Sequence, residues 1–301
     1  MKSIKTFQIL SLLLFAMVLN ACSDDSTLRA DSEDPSITEI AAMNAQFSTL
    51  VGALQATGLD EVLDGEGEFT VFAPTNDAFA ALPEGTLESL SQEQLSAILL
   101  YHSLGAEVMS GQLEAEQTVQ TLNGEDIFVT AGNSGVTVNG IASVTTADIE
   151  ARNGVIHVID NVILPDAYGT IVDNAVKRYF LSSLVEAVLQ ADLAGALSGS
   201  GPFTVFAPTN SAFAAIADVA SGLTLEELTD ILLYHVVQGE VLSSDLQPTQ
   251  QVVTLNGAPI VVEVSGGSAT INGSATITTV DIQGVNGVIH VVDQVLLPPS
   301  E

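Results

Sequence analysis

Phe-Thr-Val-Phe-Ala-Pro-Thr-Asn occurs at 69–76 and again at 203–210, and Ala-Phe-Ala-Ala follows both copies, at 78–81 and 212–215. Three further blocks recur in the same order: Leu-Leu-Tyr-His at 99–102 and 232–235, Thr-Leu-Asn-Gly at 121–124 and 254–257, and Asn-Gly-Val-Ile-His-Val at 153–158 and 286–291. The offset is 134 residues at the first block and 133 at the other three, so one residue is lost between them. Solenoid repeats recur every 20–50 residues; a period this long is a duplicated domain. Two copies of one fold therefore stand in tandem, and any structure assigned to one must suit the other.

Each copy opens with apolar residues at helical spacing, Ile37, Ile40, Phe47, Leu50, Val51 and Leu54 in the first and Ile171, Ala175, Phe180, Leu184, Val185 and Val188 in the second, with Gly58 as a stop. Residues 69–72 read as a short strand that Ala73-Pro74 breaks, after which Thr75 or Asn76 caps a helix reaching Leu82. A further helix is expected over 95–101, closing near Gly105. Beyond it, Asn-Gly pairs at 123–124, 139–140 and 153–154, repeated at 256–257, 272–273 and 286–287, sit among β-branched residues. Asn-Gly accepts the positive φ of tight hairpins, so the second half of each copy reads as antiparallel hairpins and the fold class as α+β. No Gly/Ser-rich linker separates the copies, since Leu-Pro-Asp-Ala-Tyr at 164–168 leads straight into the next helix.

The ends lie outside both copies. Lys2 and Lys5 precede a short apolar run at 9–19, too short to cross a bilayer, and Leu-Asn-Ala-Cys at 19–22 closes it. This resembles a bacterial lipoprotein signal, which implies removal of residues 1–21, a lipid on Cys22, and a polar, acidic tether over 22–36. Asn20 is unusual within that motif, and ordinary secretion with Cys22 removed or left free is the alternative. Asp24 and Asp25 resemble a surface-export signal, so the expected location is the cell envelope, at the outer membrane or cell surface. Without residues 1–21 the chain keeps four basic residues against 37 acidic ones, a formal charge of −33. Such a charge repels nucleic-acid phosphates and anionic lipid head groups, which excludes nucleic acid as a partner. Cys22 is the one cysteine, so each copy relies on its core without a disulfide.

Taken together, Phe-Thr-Val-Phe-Ala-Pro-Thr-Asn, the later Tyr-His and Asn-Gly-Val-Ile-His-Val-Ile-Asp-Asn-Val-Ile-Leu-Pro at 153–165 resemble the fasciclin domain, in both copies and in order. The resemblance implies two tandem fasciclin-like domains, 37–166 and 167–299, each a wedge-shaped antiparallel β-sandwich of about seven strands with packed helices. It further implies surface placement, contact with a surface protein or polysaccharide, no fixed catalytic set and no cofactor.

The residues themselves offer little chemistry. His157 and His290 alternate with valine and isoleucine on strand faces and read as packed, hydrogen-bonded groups. His102 and His235 follow helices, where a partial positive charge suits the C-terminal dipole. In the resembling family the Tyr-His pair is tied both to packing and to adhesion, so Tyr101, His102, Tyr234 and His235 are the candidate interaction residues. The acidic stretch 60–68 lacks oxygen ligands at Val62 and Val71, where a calcium loop needs them, and reads as a solvated loop. Asp148 and Asp281 read as sheet-edge turn residues, and Thr75, Asn76, Thr209 and Asn210 as helix caps. The sequon at Asn272 carries little weight in a bacterial lipoprotein. No Gly-x-Ser-x-Gly is present and no metal site is expected, although a calcium-bridged contact with an acidic glycan stays open. Two functions compete: a non-catalytic adhesion lipoprotein, and a small-molecule or glycan-binding accessory protein with a pocket in one copy. Specialisation is expected where the copies diverge, as in Pro83-Glu84-Gly85 against Ala217-Asp218-Val219.

Overall fold

The computed structural model describes residues 34–83, 85–220 and 222–299, which form one compact unit. The expected signal segment, Cys22 and the tether up to residue 33 lie outside the described residues.

The opening amphipathic segment of the first repeat is two helices, α1 (Ile37–Met43) and α2 (Ser48–Thr57), joined by a 3-10 turn at Ala45–Phe47. A capping box starts α1: the Ser36 hydroxyl accepts from the Glu39 N–H, and the Glu39 carboxylate accepts from the Ser36 N–H. The break falls at Asn44, whose extended backbone ends α1 while its side chain accepts from the Gln46 N–H. Gly58 stops α2 in the left-handed conformation at φ 73°, as expected. Directly after it, α3 (Leu59–Asp64) corrects the reading of the acidic stretch as a loop. Asp60 and Glu61 occupy its first turn, where the helix dipole favours carboxylates, and Leu63 is buried.

The strands are β1 (Phe69–Pro74), β2 (Ser103–Leu104), β3 (Glu116–Gln120), β4 (Asp126–Gly132), β5 (Gly135–Val138), β6 (Ala142–Ala151) and β7 (Gly154–Ile159), with α4 (Asn76–Ala80), α5 (Thr86–Ser89) and α6 (Gln92–Tyr101) between β1 and β2. They join in the order β2-β1-β7-β6-β5-β4-β3. All pairs are antiparallel except β1 with β7, so the α+β sandwich carries one parallel contact that hairpin signals do not reveal. Pro74 stays within β1 opposite Ile159, and the N–H of Thr75, one residue on, donates to the Ile159 carbonyl. Helix α4 ends at Ala80, short of Leu82, and α6 ends at Tyr101 with His102 as its cap.

Long β6 breaks register twice, between Val144 and Thr146 and between Thr146 and Ile149, so the sheet bends into two leaves. Two cores result. Helices pack Phe47, Leu50, Leu54 and Phe79 against Val71 and Ile156, while the opposite face of the same leaf meets β4–β6 through Phe72, Tyr101, Ile127, Val138 and Ile159. The strand at the centre, β7, is buried at every position because it faces both cores.

All three Asn-Gly pairs of the first repeat form hairpins, but the third does more. A Cβ on Gly154 would lie 1.9 Å from the Phe69 carbonyl oxygen, so glycine there allows the parallel β1–β7 approach. Asn153 accepts from the Ile37 N–H and donates to the Leu63 and Gly65 carbonyls, tying the start of α1 to the end of α3.

The second repeat repeats this plan with α7 (Ile171–Lys177), α8 (Ser182–Gln190), α9 (Ala194–Leu197), β8 (Phe203–Pro208), α10 (Asn210–Ala215), α11 (Ala217–Ala220), α12 (Leu225–Tyr234), β9 (Val236–Gln238), β10 (Thr249–Val253), β11 (Pro259–Ser265), β12 (Ser268–Ile271), β13 (Ala275–Gly284) and β14 (Gly287–Val292). Strand order is β10-β11-β12-β13-β14-β8-β9, again with one parallel pair, β14 with β8. The copies diverge where the sequence does: α11 continues almost directly from α10, whereas in the first repeat a left-handed Gly85 (φ 80°) precedes α5.

Candidate functional site

The two Tyr-His pairs are interior, with Tyr101 0% exposed, His102 2%, Tyr234 2% and His235 1%. The Tyr101 hydroxyl donates to the Asp126 carbonyl at 3.0 Å and accepts from the Asn139 amide at 2.9 Å, and Asn139 in turn accepts from the Phe128 N–H. This links α6 to the outer leaf. His102 Nδ1 donates to the Ile98 carbonyl at 2.7 Å, and its Nε2 accepts from the Ile163 N–H at 3.1 Å, which binds the strand exit after β7 to the same helix. Tyr234 and His235 repeat every contact with Pro259, Asn272, Ile231 and Leu296. In this way Asn272, the sequon residue, has its side chain engaged.

Burial holds both histidines at a pKa of about 4, so each ring is neutral. That corrects the expectation of a charged cap: the ring nitrogens satisfy backbone groups and the helix dipole meets no cation. With both rings and both phenols enclosed, these four residues clamp the two cores together and lie away from the outer surface.

His157 and His290 are packed, as expected. His157 Nδ1 accepts from the Asp148 N–H at 3.2 Å, Nε2 donates to the Val108 carbonyl at 2.8 Å, and the ring lies 5.5 Å from that of Phe72. Asp148 itself sits inside the β6 bulge at φ 57° and is no turn residue. Its carboxylate accepts from the Ser110 N–H at 2.7 Å and hydroxyl at 2.5 Å, and those bonds hold it below the usual carboxylate range. Asp281, Ser243 and His290 form the matched set. A serine, a carboxylate and a histidine meet here, yet the imidazole faces a backbone N–H and a carbonyl and makes no bond to the hydroxyl, so this is not a Ser-His-Asp relay. Thr75 and Thr209 cap α4 and α10 as expected. Asn76 instead serves another helix, accepting from the Thr49 N–H and donating to the Ala45 carbonyl, and Asn210 does likewise with Ser183 and Tyr179.

The boundary between repeats is built from charges that spacing arguments missed. Arg178 Nη2 meets Asp166 Oδ2 at 2.5 Å, Lys177 Nζ meets Asp166 Oδ1 at 3.1 Å, and both basic residues are buried. Burial by itself would raise the Asp166 carboxyl, but the hydrogen bond and charge of Arg178, with the charge of Lys177, outweigh it and hold it below its ordinary value. Arg178 also lies over the ring of Phe128, 5.0 Å from its centroid, and Phe128 packs edge-on against Tyr179 and Phe180. The signal available in the sequence was the placing of adjacent Lys177 and Arg178 at the junction of a chain so poor in cations. With Arg152 on Asp64 at 2.8 Å, every described Lys and Arg meets a carboxylate, and the remaining acids dominate the surface.

Surface character differs between the repeats at matched positions. Leu189, Leu225, Val253 and Val285 are exposed in the second repeat where the first carries Gln55, Gln92, Gln120 and Arg152. Beside Leu189, a cavity of about 80 Å³ lies between α7, α8, α9 and the sheet, lined by apolar residues and His235. The corresponding hollow of the first repeat is open and rimmed by Thr38, Glu39, Gln55, Asp60, Glu61 and Asp64.

Comparison with known proteins places both repeats. The fasciclin domain profile matches residues 45–165 and 180–298. Human periostin is 31% identical over 268 residues, covering 88% of this chain and 31% of periostin. Pig transforming growth factor-beta-induced protein ig-h3 is 32% identical over 265 residues, 87% of this chain and 38% of that protein. The chain thus spans about a third of the length of these two relatives. Cell surface glycolipoprotein MPB83 of Mycobacterium bovis is 35% identical over 143 residues, 45% of this chain and 63% of its own. Among solved structures, a FAS1 domain pair from the insect cell adhesion molecule fasciclin I superposes with a TM-score of 0.56 at 21% identity, over 85% of this chain and 98% of that one, a likeness of fold.

Proposed function

This chain belongs to the fasciclin domain family, and from that premise we propose that it is a non-catalytic interaction lipoprotein of the cell envelope, held by a lipid on Cys22 and binding surface proteins or polysaccharides. The observation that carries this reading is the double domain match joined to a single compact body, in a family whose relatives include a cell surface glycolipoprotein. Serine, carboxylate and histidine do meet in each repeat, but in an arrangement that braces a bulge. The contact surface lies outside the Tyr-His clamps, and the exposed Leu189, Leu225, Val253 and Val285 favour the second repeat. A surface so short of free cations selects partners that are neutral or basic, or acidic glycans bridged by calcium.

The test is binding of the full chain to a panel of envelope polysaccharides and matrix proteins, with and without calcium, beside Leu189→Gln/Leu225→Gln/Val253→Gln, which carries first-repeat residues. Saturable binding that weakens at least tenfold in this folded variant supports the reading. Absence of binding to any macromolecule on the panel, or binding that the variant keeps in full, contradicts it.

A further inference from the structure

The cavity in the second repeat is the one large difference between two otherwise matched helical cores. Val188 on its wall stands where Leu54 fills the first repeat, and Leu181 in the same core replaces the fully buried Phe47. Large-to-small replacements of this kind leave space that a packed core does not fully close. At the mouth the change runs from polar to apolar: Val172 for Thr38, Leu189 for Gln55 and Ala194 for Asp60. Interior and rim have thus changed together, toward a solvent-reachable apolar hollow whose rim residue Leu189 is 62% exposed.

The chemistry of the lining narrows the ligand. His235 is the only lining residue with a polar side chain, and both its ring nitrogens are already engaged, by the Ile231 carbonyl and the Leu296 N–H. No hydrogen-bonding group is left to receive a sugar hydroxyl or a carboxylate, and burying either without a partner costs free energy. The elements that form the cavity are acidic on their exposed faces: α7 carries Asp173 and α8 carries Glu186, with Asp192 just beyond α8. These repel an anionic head group. Apolar cavities of about 150 Å³ stay dry and take benzene. This one, at about 80 Å³, admits a few methylene groups with the rest of the ligand lying over Leu189.

We propose that the cavity between α7, α8 and α9 is a binding site for the alkyl chain of an uncharged amphiphile. The first repeat lacks this site because its hollow is open and rimmed by Gln55, Asp60 and other polar residues, with Leu54 where Val188 stands. The site shares its rim residue Leu189 with the macromolecular contact proposed above, but decanol titration and the macromolecule panel are read separately, so either can fail while the other holds.

Decanol and decanoate are the probes, titrated into the full chain and followed by calorimetry and by methyl NMR. One decanol is expected to bind per chain, shifting the methyl resonances of Val188, Leu189 and Ala194, with decanoate at least tenfold weaker. Val188→Leu/Leu189→Gln/Ala194→Asp, which installs the first-repeat residues, is expected to weaken decanol at least tenfold. Should that variant fold poorly, Leu189→Gln alone, at an exposed position, is expected to weaken decanol severalfold, and the methyl shifts locate the ligand in the unmutated chain. The proposal is overturned by non-saturable decanol uptake, by shifts elsewhere in the chain, by equal affinity for decanoate, or by full affinity in a folded variant.

Discussion

The two repeats share most internal devices and differ at their skins, at the charged junction and in one core. Tyr-His clamps, the bulge aspartates and the asparagine ties recur residue for residue, with hydrogen-bond lengths that match to within a few tenths of an ångström. Outside those devices the first repeat carries Gln55, Gln92 and Gln120 where the second carries Leu189, Leu225 and Val253. The first packs Phe47 and Leu54 where the second packs Leu181 and Val188. Conserved scaffold and free surface have thus separated within a single chain. The blocks that identify the fold hold the domain together, and the surface differences lie between the blocks.

The largest way to break the comparison is at the junction, whose two basic residues only the second repeat carries. Lys177 and Arg178 occupy the positions of Met43 and Asn44, and Met43 is largely exposed. Asp166→Ala strands two buried cations and is expected to cost about 3–5 kcal/mol in urea unfolding, whereas Met43→Ala costs under about 0.5 kcal/mol. Equal effects would show that the junction is not locked by charge.

Acid sharpens the likeness. His102 and His235 titrate near 4 in the fold against 6.5 in an unfolded chain, so as pH falls the unfolded state takes up protons first. Their stabilisation is complete above about pH 6.5 and lost between 6.5 and 4, at about 3 kcal/mol for each ring. The urea midpoint should fall across that window. His102→Gln and His235→Gln should each remove a similar part of the slope, and a flat profile from pH 7 to 4.5 would refute the neutral clamps.

Core exchange should act in opposite directions. Phe47→Leu in the first repeat is expected to cost about 1–2 kcal/mol, and Val188→Leu in the second to gain up to about 1 kcal/mol by filling space. Thermal unfolding reads both, and loss of stability from Val188→Leu would mean that the cavity is already filled by relaxation. The smallest effect concerns caps. Thr75→Ala and Thr209→Ala should each cost about 1 kcal/mol, and equally, because each hydroxyl accepts one helix N–H at 3.2–3.3 Å.

How much of this was legible depended on the range of the interaction. Duplication, the Gly58 stop, the Thr75 cap and the Asn-Gly hairpins are local signals with local causes, and the structure follows them. Ala73-Pro74 misled because a proline at a strand end opposite Ile159 needs no N–H of its own there. The parallel β1–β7 pair was invisible, since it joins residues about 85 apart, although Gly154 was its trace. His102 looked chargeable from helix position alone, and only the three-dimensional enclosure shows it neutral. Salt bridges to Asp166 and the apolar cavity could have been suspected by aligning the repeats position by position and asking where polarity changes. Sequence pattern could not supply the enclosure that gives those changes meaning.

The most direct test of the division between scaffold and surface is reciprocal exchange in an envelope-binding assay of the full chain. Leu189→Gln/Leu225→Gln/Val253→Gln is compared with Gln55→Leu/Gln92→Leu/Gln120→Leu on the same panel of polysaccharides and matrix proteins. The second repeat is expected to lose at least tenfold in affinity when made like the first, with unfolding temperatures held within a few degrees. Unchanged affinity in the second-repeat exchange, with both proteins folded, would contradict the account.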